Sequence, residues 1–305
     1  NGKSITRILV KGKEFFGNDK DMALKNLPAK MVDKIKAYDK KSDYSRITGI
    51  DDGQEETVLD LTPKRNMGEG WMINVDLGGG KARKDQLPGA TNAIKFPKML
   101  YTGNFNVNRF TDNMQFTLIA SRNNINGGSG RWGGFSGGSG VTTTTMVGCN
   151  FTWSNDREQY TPGYFEAGGN VRYNTRESEN SSLGNSEMFK TKSFSNNSNW
   201  SKSANKNLNL DARLQWMPDS FTTLTIRPSF THSVSNSESQ RVSATFNDDP
   251  YKYSDDPLKD YAKAEVFTGD NDDDPSTPDK DVRVNSNETD SYSLGTTNSG
   301  NATLQ

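Results

Sequence analysis

The sequence contains one stretch whose side chains have the chemistry of metal ligands. Asp270, Asp272 and Asp274 stand at alternate positions, with further aspartates nearby. Calcium takes carboxylate oxygens at such alternating positions, so these three are candidate calcium ligands. Pro275, however, stands where an EF-hand loop has glycine, and no glutamate closes the site. A solvated acidic surface loop is the simpler interpretation, with calcium kept as the possible cofactor.

A second candidate site lies in the glycine-rich stretch at 123–142, NNINGGSGRWGGFSGGSGVT. Trp132 and Phe135 stand between flexible glycines, and exposed aromatic rings of this kind can stack on a sugar ring. The same stretch matches Gly-x-Ser-x-Gly at 134–138 and Gly-x-Gly-x-x-Gly at 128–133. Neither match has the strand-to-helix context that gives these motifs their geometry. We therefore expect no enzyme, and Trp132 and Phe135 are candidate ligand-binding residues.

The counts of reactive side chains exclude several classes of function. Cys149 is the single cysteine, so neither an internal disulfide nor a cysteine metal cluster can form. His232 is the single histidine, which removes most histidine-based chemistry. The net charge is -1 and the isoelectric point is about 6.0, so the chain lacks the basic footprint of a nucleic-acid-binding protein.

The stretch at 99–121 indicates how the chain positions its residues. It predicts two strands and a turn at 109–113, because apolar and polar residues alternate along it. One face carries apolar residues such as Phe105 and Leu118, and the other carries amides and hydroxyls. Ile119 is the one apolar residue at a position of the polar face. A soluble antiparallel sheet has this pattern when its apolar face covers a core. A transmembrane barrel has it when the apolar face meets lipid and the polar face lines the lumen.

The composition favours the barrel. Only 31% of the residues are hydrophobic and the mean hydropathy is -0.86, whereas apolar usage in soluble domains is about 45–50% when glycine is counted. A barrel needs fewer apolar residues, since only alternate positions of short spans meet lipid. Regular aromatic alternation argues against disorder for the whole chain. The sequence has no run of about 18 apolar residues, so it predicts no membrane-spanning helix.

The pattern predicts about eight strands after residue 70. Connections alternate between short and long, as periplasmic turns and extracellular loops do. Residues 176–206 are interpreted as the tops of two long strands, and 247–280 as an acidic loop. Aromatic residues near strand ends are candidates for a membrane-interface belt. These are Trp71, Trp153, Trp216 and Phe221.

Residues 1–65 differ and predict a small mixed α/β unit. An apolar run at 5–10 and a turn at 11–13 indicate a strand and its end. Pro28 suits a helix start, which predicts a helix at 29–34. Residues 34–38 are expected to be extended, a charged turn is expected at 39–43, and EETVLDLT at 55–62 predicts a further strand.

Three motifs in this region resemble the second half of the plug domain of TonB-dependent outer-membrane receptors. They are ILVKG at 8–12, LPAKMVDKI at 27–35 and TVLDLTPK at 57–64. The stretches KEFFGND at 13–19 and TGIDDG at 48–53 resemble the outer-membrane β-barrel receptors of glycan- and peptide-using Gram-negative bacteria. The chain departs from the general pattern at 39–43, where many receptors have an arginine- or lysine-glycine turn.

The resemblance implies that residues 1–65 are the C-terminal part of a plug and 66–305 the N-terminal part of an outer-membrane β-barrel. It implies ligand capture by extracellular loops and uptake driven by the TonB complex of the inner membrane, acting through a missing N-terminal segment. Outer-membrane lipid and a surface lipoprotein would be partners. We expect such a piece not to be an autonomous unit. The alternatives are a non-transporting surface barrel or adhesin, and a soluble carbohydrate-binding β-protein.

Overall fold

The computed structural model describes most of the chain, and all structural statements concern those residues. They are residues 4–16, 23–24, 27, 29–42, 45, 49–64, 70–81, 99–125, 140–159, 161–261, 264–267 and 281–304.

A four-stranded sheet, here called the small sheet, is built from the first 64 residues. Its strands are β1 (Arg7–Val10), β2 (Lys13–Glu14), β3 (Val32–Lys41) and β4 (Glu55–Pro63). The order is β2-β1-β4-β3, with β1 and β4 parallel and the other neighbours antiparallel. Gly12 has φ 77° in the turn between β1 and β2, a backbone conformation that glycine adopts without strain. The strands predicted at 5–10 and 55–62 are confirmed.

The α/β unit expected here is not what the described residues of 1–65 form. Ala29–Met31 is one 3-10 turn and the chain is extended from Val32, so the helix predicted at 29–34 is wrong. The charged turn predicted at 39–43 is also wrong, since β3 continues to Lys41. The reason is that β3 pairs with β4 along its length, and the Thr57 hydroxyl donates to the Asp39 carboxylate across the pair at 2.7 Å. Strand pairing here outweighs local turn and helix preferences.

Residues 70–304 form a second, eight-stranded antiparallel sheet, here called the large sheet. Its strand order follows the chain order from β5 to β12, so each strand pairs with its sequence neighbours. The sheet is open, with β5 and β12 at its edges. The prediction of about eight strands is confirmed. The strands are β5 (Trp71–Lys81), β6 (Met99–Phe110), β7 (Met114–Asn123), β8 (Val141–Ser154), β9 (Tyr164–Met188), β10 (Ser193–Met217), β11 (Leu224–Phe246) and β12 (Arg283–Leu304).

The two ends of the large sheet differ. At one end, residues 111–113, 155–163 and 218–223 make short connections. At the other end, β9 and β10 have 25 residues each and meet in a turn at 189–192, which confirms the two long strands predicted in 176–206. A span across a membrane takes about 9–11 residues, so β9 and β10 are more than twice that length.

Two short helices lie between β11 and β12. They are α1 (Pro257–Asp260) and α2 (Ala264–Phe267), and the Asp256 carboxylate caps α1 by accepting from the Lys259 amide. Phe267 packs on Phe246 at the end of β11, with ring centroids 4.9 Å apart. Within the described residues, no helix has both the length and the apolar character needed to cross a membrane.

A glycine in β9 is required by the close approach of β10. A Cβ on Gly169 would lie 2.5 Å from the Asp211 carbonyl oxygen, whereas a Cβ on Gly295 in β12 would meet nothing within 4 Å. We expect Gly169→Ala to lower the free energy of unfolding by about 1–3 kcal/mol, because β9 and β10 must separate locally. Gly295→Ala is the matched control, with an expected change within about 0.5 kcal/mol. Urea unfolding followed by tryptophan fluorescence measures both, and equal midpoints for the two variants would contradict the packing.

Candidate functional site

The site residues predicted from the sequence lie outside the described part of the chain. Trp132 and Phe135 belong to the undescribed stretch 126–139, and Asp270, Asp272 and Asp274 belong to 268–280. Their roles in ligand and calcium binding therefore stay predictions. Among the described residues, no group of three or more His, Cys, Asp and Glu side chains is placed to hold a metal ion.

The two faces of the large sheet have an unusual distribution of polarity. The face turned away from the small sheet, here called the outward face, carries apolar side chains that are open to the surroundings. Leu77 is 83% exposed and Trp71 is 57% exposed. The same face exposes further apolar residues on five other strands: Phe105, Val147, Phe151, Trp153, Val171, Tyr173, Trp216 and Phe230.

The opposite face, here called the inward face, is polar and buried. Gln115 is 1% exposed and Glu166 is 2% exposed. The Thr117 hydroxyl donates to the Asn108 side-chain oxygen at 2.7 Å, and Asn108 donates in turn to Asn106. Buried polar groups generally need hydrogen-bond partners, and Asn106, Asn108 and Thr117 find theirs in one another. Other buried polar residues of this face are Asn150, Thr152, Arg213, Gln215 and Thr225.

The small sheet packs on this inward face and hydrogen-bonds to it. The Phe16 amide donates to the Asn150 side-chain oxygen at 3.1 Å in a buried position. The Gln115 side-chain amide donates to the Val10 carbonyl oxygen. At the rim, Lys11 forms an ion pair with Asp112 at 2.7 Å. Backbone groups of the small sheet thus bind side chains of the large sheet.

An apolar patch anchors the contact between the two sheets. Phe110 and Ile119 occupy inward positions and are almost fully buried in one cluster with Phe15 and Phe16. The rings of Phe15 and Phe110 lie with their centroids 5.7 Å apart. Met146 joins the same cluster. This explains Ile119, the breach in the alternation of β7: it faces the small sheet's core.

A cluster of charges lies at the second point of contact, centred on the Glu14 carboxylate of β2. Arg7 of β1 contacts it at 2.6 Å, and Arg213 of β10 and Arg227 of β11 each contact it at 3.2 Å. Arg213 also reaches Glu166 of β9 at 3.3 Å. We call these five residues the Glu14 ion cluster. Its members come from both sheets, so it joins them electrostatically.

The charges around Glu14 control its protonation. Burial raises the pKa of the Glu14 carboxyl, but the guanidinium groups of Arg213, Arg227 and Arg7 lower it by more. The pKa of Glu14 falls from 4.5 to about 2. The side chains of Arg213 and Glu166 are 8% and 2% exposed, so this ion pair is shielded from solvent. A buried charge that loses its partner is costly, which makes the cluster a strong constraint on how the sheets sit together.

The space beside the Glu14 ion cluster is small. A cavity of about 50 Å³ is lined by Glu14, Asn150, Glu166, Asp211 and Arg213. This volume accommodates water molecules, whereas pockets for small ligands measure about 300–1,000 Å³. At the Glu14 ion cluster, the contact between the sheets therefore leaves no room for a small organic ligand.

Sequence reasoning did not single out the Glu14 ion cluster. A signal was present in part, because Arg213, Arg227 and Glu166 fall on the polar side of the predicted strands, where an isolated charge needs a partner. The partner Glu14 lies about 150 residues or more away from each of them in the sequence. Nothing in the local pattern around Glu14 indicates that they meet.

Comparison with known proteins gives no family for this chain. A scan against protein-family models finds no match, and a search of curated proteins finds no match either. What the chain does is therefore inferred from its residues and their geometry.

Removal of the central charge tests whether the Glu14 ion cluster holds the two sheets together. Glu14→Gln is expected to lower the protection of the β1 and β2 amides from hydrogen exchange, by the equivalent of about 3 kcal/mol. The physical reason is that Arg213 and Arg227 stay largely buried and lose a carboxylate. Glu55→Gln, on the exposed end of β4, is the matched control and should leave this protection unchanged. If the β1 and β2 amides exchange at the same rates in both variants, the Glu14 ion cluster does not hold the two sheets together.

The lowered pKa of Glu14 predicts a pH dependence. Because the folded-state pKa of about 2 lies below the usual 4.5, the ionised carboxylate stabilises the contact fully above about pH 5. That stabilisation is lost as the pH falls from about 5 towards 2. Protection of β1, corrected for intrinsic exchange rates, should decline over this interval more steeply in the native chain than in Glu14→Gln. Parallel declines would contradict the prediction.

Proposed function

We propose that this chain belongs to a TonB-dependent outer-membrane receptor that takes up a nutrient ligand. In this proposal the large sheet is part of an outer-membrane β-barrel, and the small sheet is part of the plug inside it. The single observation that supports it most is the inverted polarity of the large sheet. Its apolar face is exposed, and its polar face is covered by the small sheet.

The height of the apolar band fits a membrane. On β9 the apolar outward positions run from Phe165 to Tyr173, and the next outward positions are Thr175 and Glu177. Nine residues span about 30 Å along a strand, or about 23 Å in height at the tilt of barrel strands. Outer-membrane barrels have an apolar band about 25 Å tall. Beyond it, β9 and β10 become mostly polar on both faces, with Leu183, Phe194 and Trp200 as exceptions, as expected for parts that stand in water.

Aromatic side chains mark the edge of the band that lies beside the short connections. Trp71 packs against Phe116 with ring centroids 6.1 Å apart, and Trp153 packs against Phe165 at 6.0 Å. The Arg109 guanidinium lies 5.1 Å from the Trp71 ring centroid. Amphipathic rings next to a cation suit a membrane–water interface, and such girdles flank the apolar band of barrels.

The exposed apolar face separates this proposal from a soluble carbohydrate-binding protein. A soluble antiparallel sheet buries its apolar face and leaves its polar face in water. Here Gln115 and Glu166 are buried while Leu77 and Trp71 are exposed. In water this arrangement would expose a large apolar surface, which soluble monomers avoid.

The contact between the sheets suggests how a plug is retained and released. Ion pairs and hydrogen bonds to groups such as Asn150 give a defined position, and each can be exchanged for bonds to water at modest net cost. In the proposed mechanism, a ligand binds on the side of the long strands and the inner-membrane TonB complex then pulls on the plug. The proton-motive force drives this step. A surface lipoprotein is a further proposed partner.

Protease treatment of intact cells tests the location and orientation. With the protein expressed in a Gram-negative host, we expect it in the outer-membrane fraction, and trypsin added outside should cut at Lys190 or Lys192 between β9 and β10. Chymotrypsin should cut at Phe221, which is 95% exposed in a short connection, only after the outer membrane is permeabilised. In the proposal the turn at 189–192 lies outside the cell and the connection that holds Phe221 lies in the periplasm, which gives this difference.

The matched control carries Lys190→Gln and Lys192→Gln and should lose the tryptic cut. A protein that stays soluble without detergent, or that is cut at Phe221 in intact cells, would contradict the proposal. Growth on a nutrient that requires the gene should stop in cells that lack the TonB complex. Growth that is independent of that complex would favour a non-transporting surface barrel.

A further inference from the structure

A groove lies on the outward face where β5, β6 and β7 run side by side. Its volume is about 380 Å³, and its lining includes Leu77, Gly79, Tyr101, Gly103 and Arg122. The two glycines form the floor. A Cβ on Gly103 would meet Leu77 at 3.5 Å, an ordinary contact, and a Cβ on Gly79 would meet only a carbonyl oxygen at 3.9 Å. The sheet is therefore indented here, and side chains would fit where the glycines leave space.

The groove crosses the upper edge of the apolar band. Below it on the outward face lie Val75 and Phe105, both exposed and apolar. Arg122 of β7 lies in the row of Gly103 and Leu77, and its guanidinium reaches towards the Tyr101 ring in the next row. Lys81 lies one row further on, beside the exposed Met99. The groove thus runs from an apolar row at Val75 and Phe105 to rows that carry the two cations. This is the polarity of a single lipid molecule, with its acyl chain on one side and an anionic headgroup on the other.

Arg122 is placed to bind an anion. Its guanidinium lies 5.9 Å from the ring centroid of Tyr101, which holds it over the end of the groove. Among the described residues, no carboxylate lies within ion-pair distance of Arg122, in contrast to Arg213 and Arg227 of the Glu14 ion cluster. A guanidinium binds a phosphate, like a carboxylate, through two parallel hydrogen bonds.

We infer that this groove binds one phosphate-bearing membrane lipid. Arg122 would bind the phosphate, Tyr101 and Gly79 would border the headgroup, and the acyl chain would run over Gly103 beside Leu77 towards Phe105. The inference rests on the proposed function, because it needs the outward face to meet lipid. It adds a specific lipid site to the general contact between a barrel and its membrane. Since the groove lies at the end with the long connections, the lipid belongs to the outer leaflet.

Native mass spectrometry of the full protein, purified in detergent and stripped of lipid, tests the inference. The probes are dioleoyl phosphatidate and dioleoylglycerol, which share acyl chains and differ in the phosphate. We expect one phosphatidate to bind per chain and dioleoylglycerol to bind more weakly. Arg122→Gln should weaken phosphatidate binding roughly tenfold, since it removes charge-assisted hydrogen bonds. Gly103→Leu should weaken it by a similar factor, because the side chain fills the floor at an ordinary contact distance.

Lys206→Gln is the matched control, since Lys206 is an exposed cation on the outward side of β10 and does not line the groove. It should bind phosphatidate as the native chain does. Equal losses for Lys206→Gln and Arg122→Gln would overturn the inference, because binding would then depend on charge in general. Equal affinity for the two lipids would also overturn it.

Inorganic phosphate distinguishes a lipid site from a simple anion site. Millimolar phosphate should leave bound phosphatidate in place, whereas displacement with equal potency in the native chain and in Gly103→Leu would show that only the anion is recognised. Failure of this inference is distinguishable from failure of the proposed function. If the protein is found in the outer membrane but shows no lipid selectivity, only the proposed lipid site in the groove is contradicted.

Discussion

The contact between the Glu14 carboxylate and three arginines is the interaction on which the arrangement of the two sheets depends. Arg213 and Glu166 are too deeply buried to remain charged without partners, and Glu14 supplies a carboxylate from the other sheet. The apolar cluster around Phe15 and Phe110 buries surface but does little to fix the orientation of the two sheets, because apolar contacts do not depend on angle. The Glu14 ion cluster fixes that orientation, because its charges on the small sheet and on the polar face of the large sheet must meet.

The polarity of the large sheet follows from this contact. Strand side chains alternate between faces, so a sheet that turns its amides and charges towards the small sheet must turn its alternate residues away. Those residues are leucines, valines and aromatics on six strands, and they form a band whose height fits a bilayer. Past the band the residues of β9 and β10 are mostly polar on both faces, although the strands continue. In the proposed receptor, a change of surroundings from lipid to water along the strands accounts for both the band and its end.

Much of the fold could be predicted because its signals are local. Period-two alternation identified the strands of the large sheet, and even the anomalous Ile119 was visible as an exception. The small sheet was predicted less completely. The middle of β3, at 34–38, was expected to be extended, but its ends were predicted as a helix and a charged turn, and they are strand because they pair with β4. The Glu14 ion cluster could not be predicted as a unit, since it joins residues from five strands of two sheets. Local sequence indicates which face a side chain occupies, but not which distant charge it meets.

The measurement that most directly tests the central claim is the environment of Cys149, the single cysteine, in the middle of the apolar band on β8. A nitroxide spin label is placed on Cys149 in the protein reconstituted into bilayers. Molecular oxygen should speed the relaxation of this label, whereas a water-soluble nickel complex should have little effect on it. In the double variant Cys149→Ser and Glu177→Cys the label lies on the outward side of β9 beyond the band. There the nickel complex should speed relaxation more than molecular oxygen does. This result would place the outward face in lipid. Equal access of the nickel complex to both positions would contradict the account, because the apolar face would then be in water.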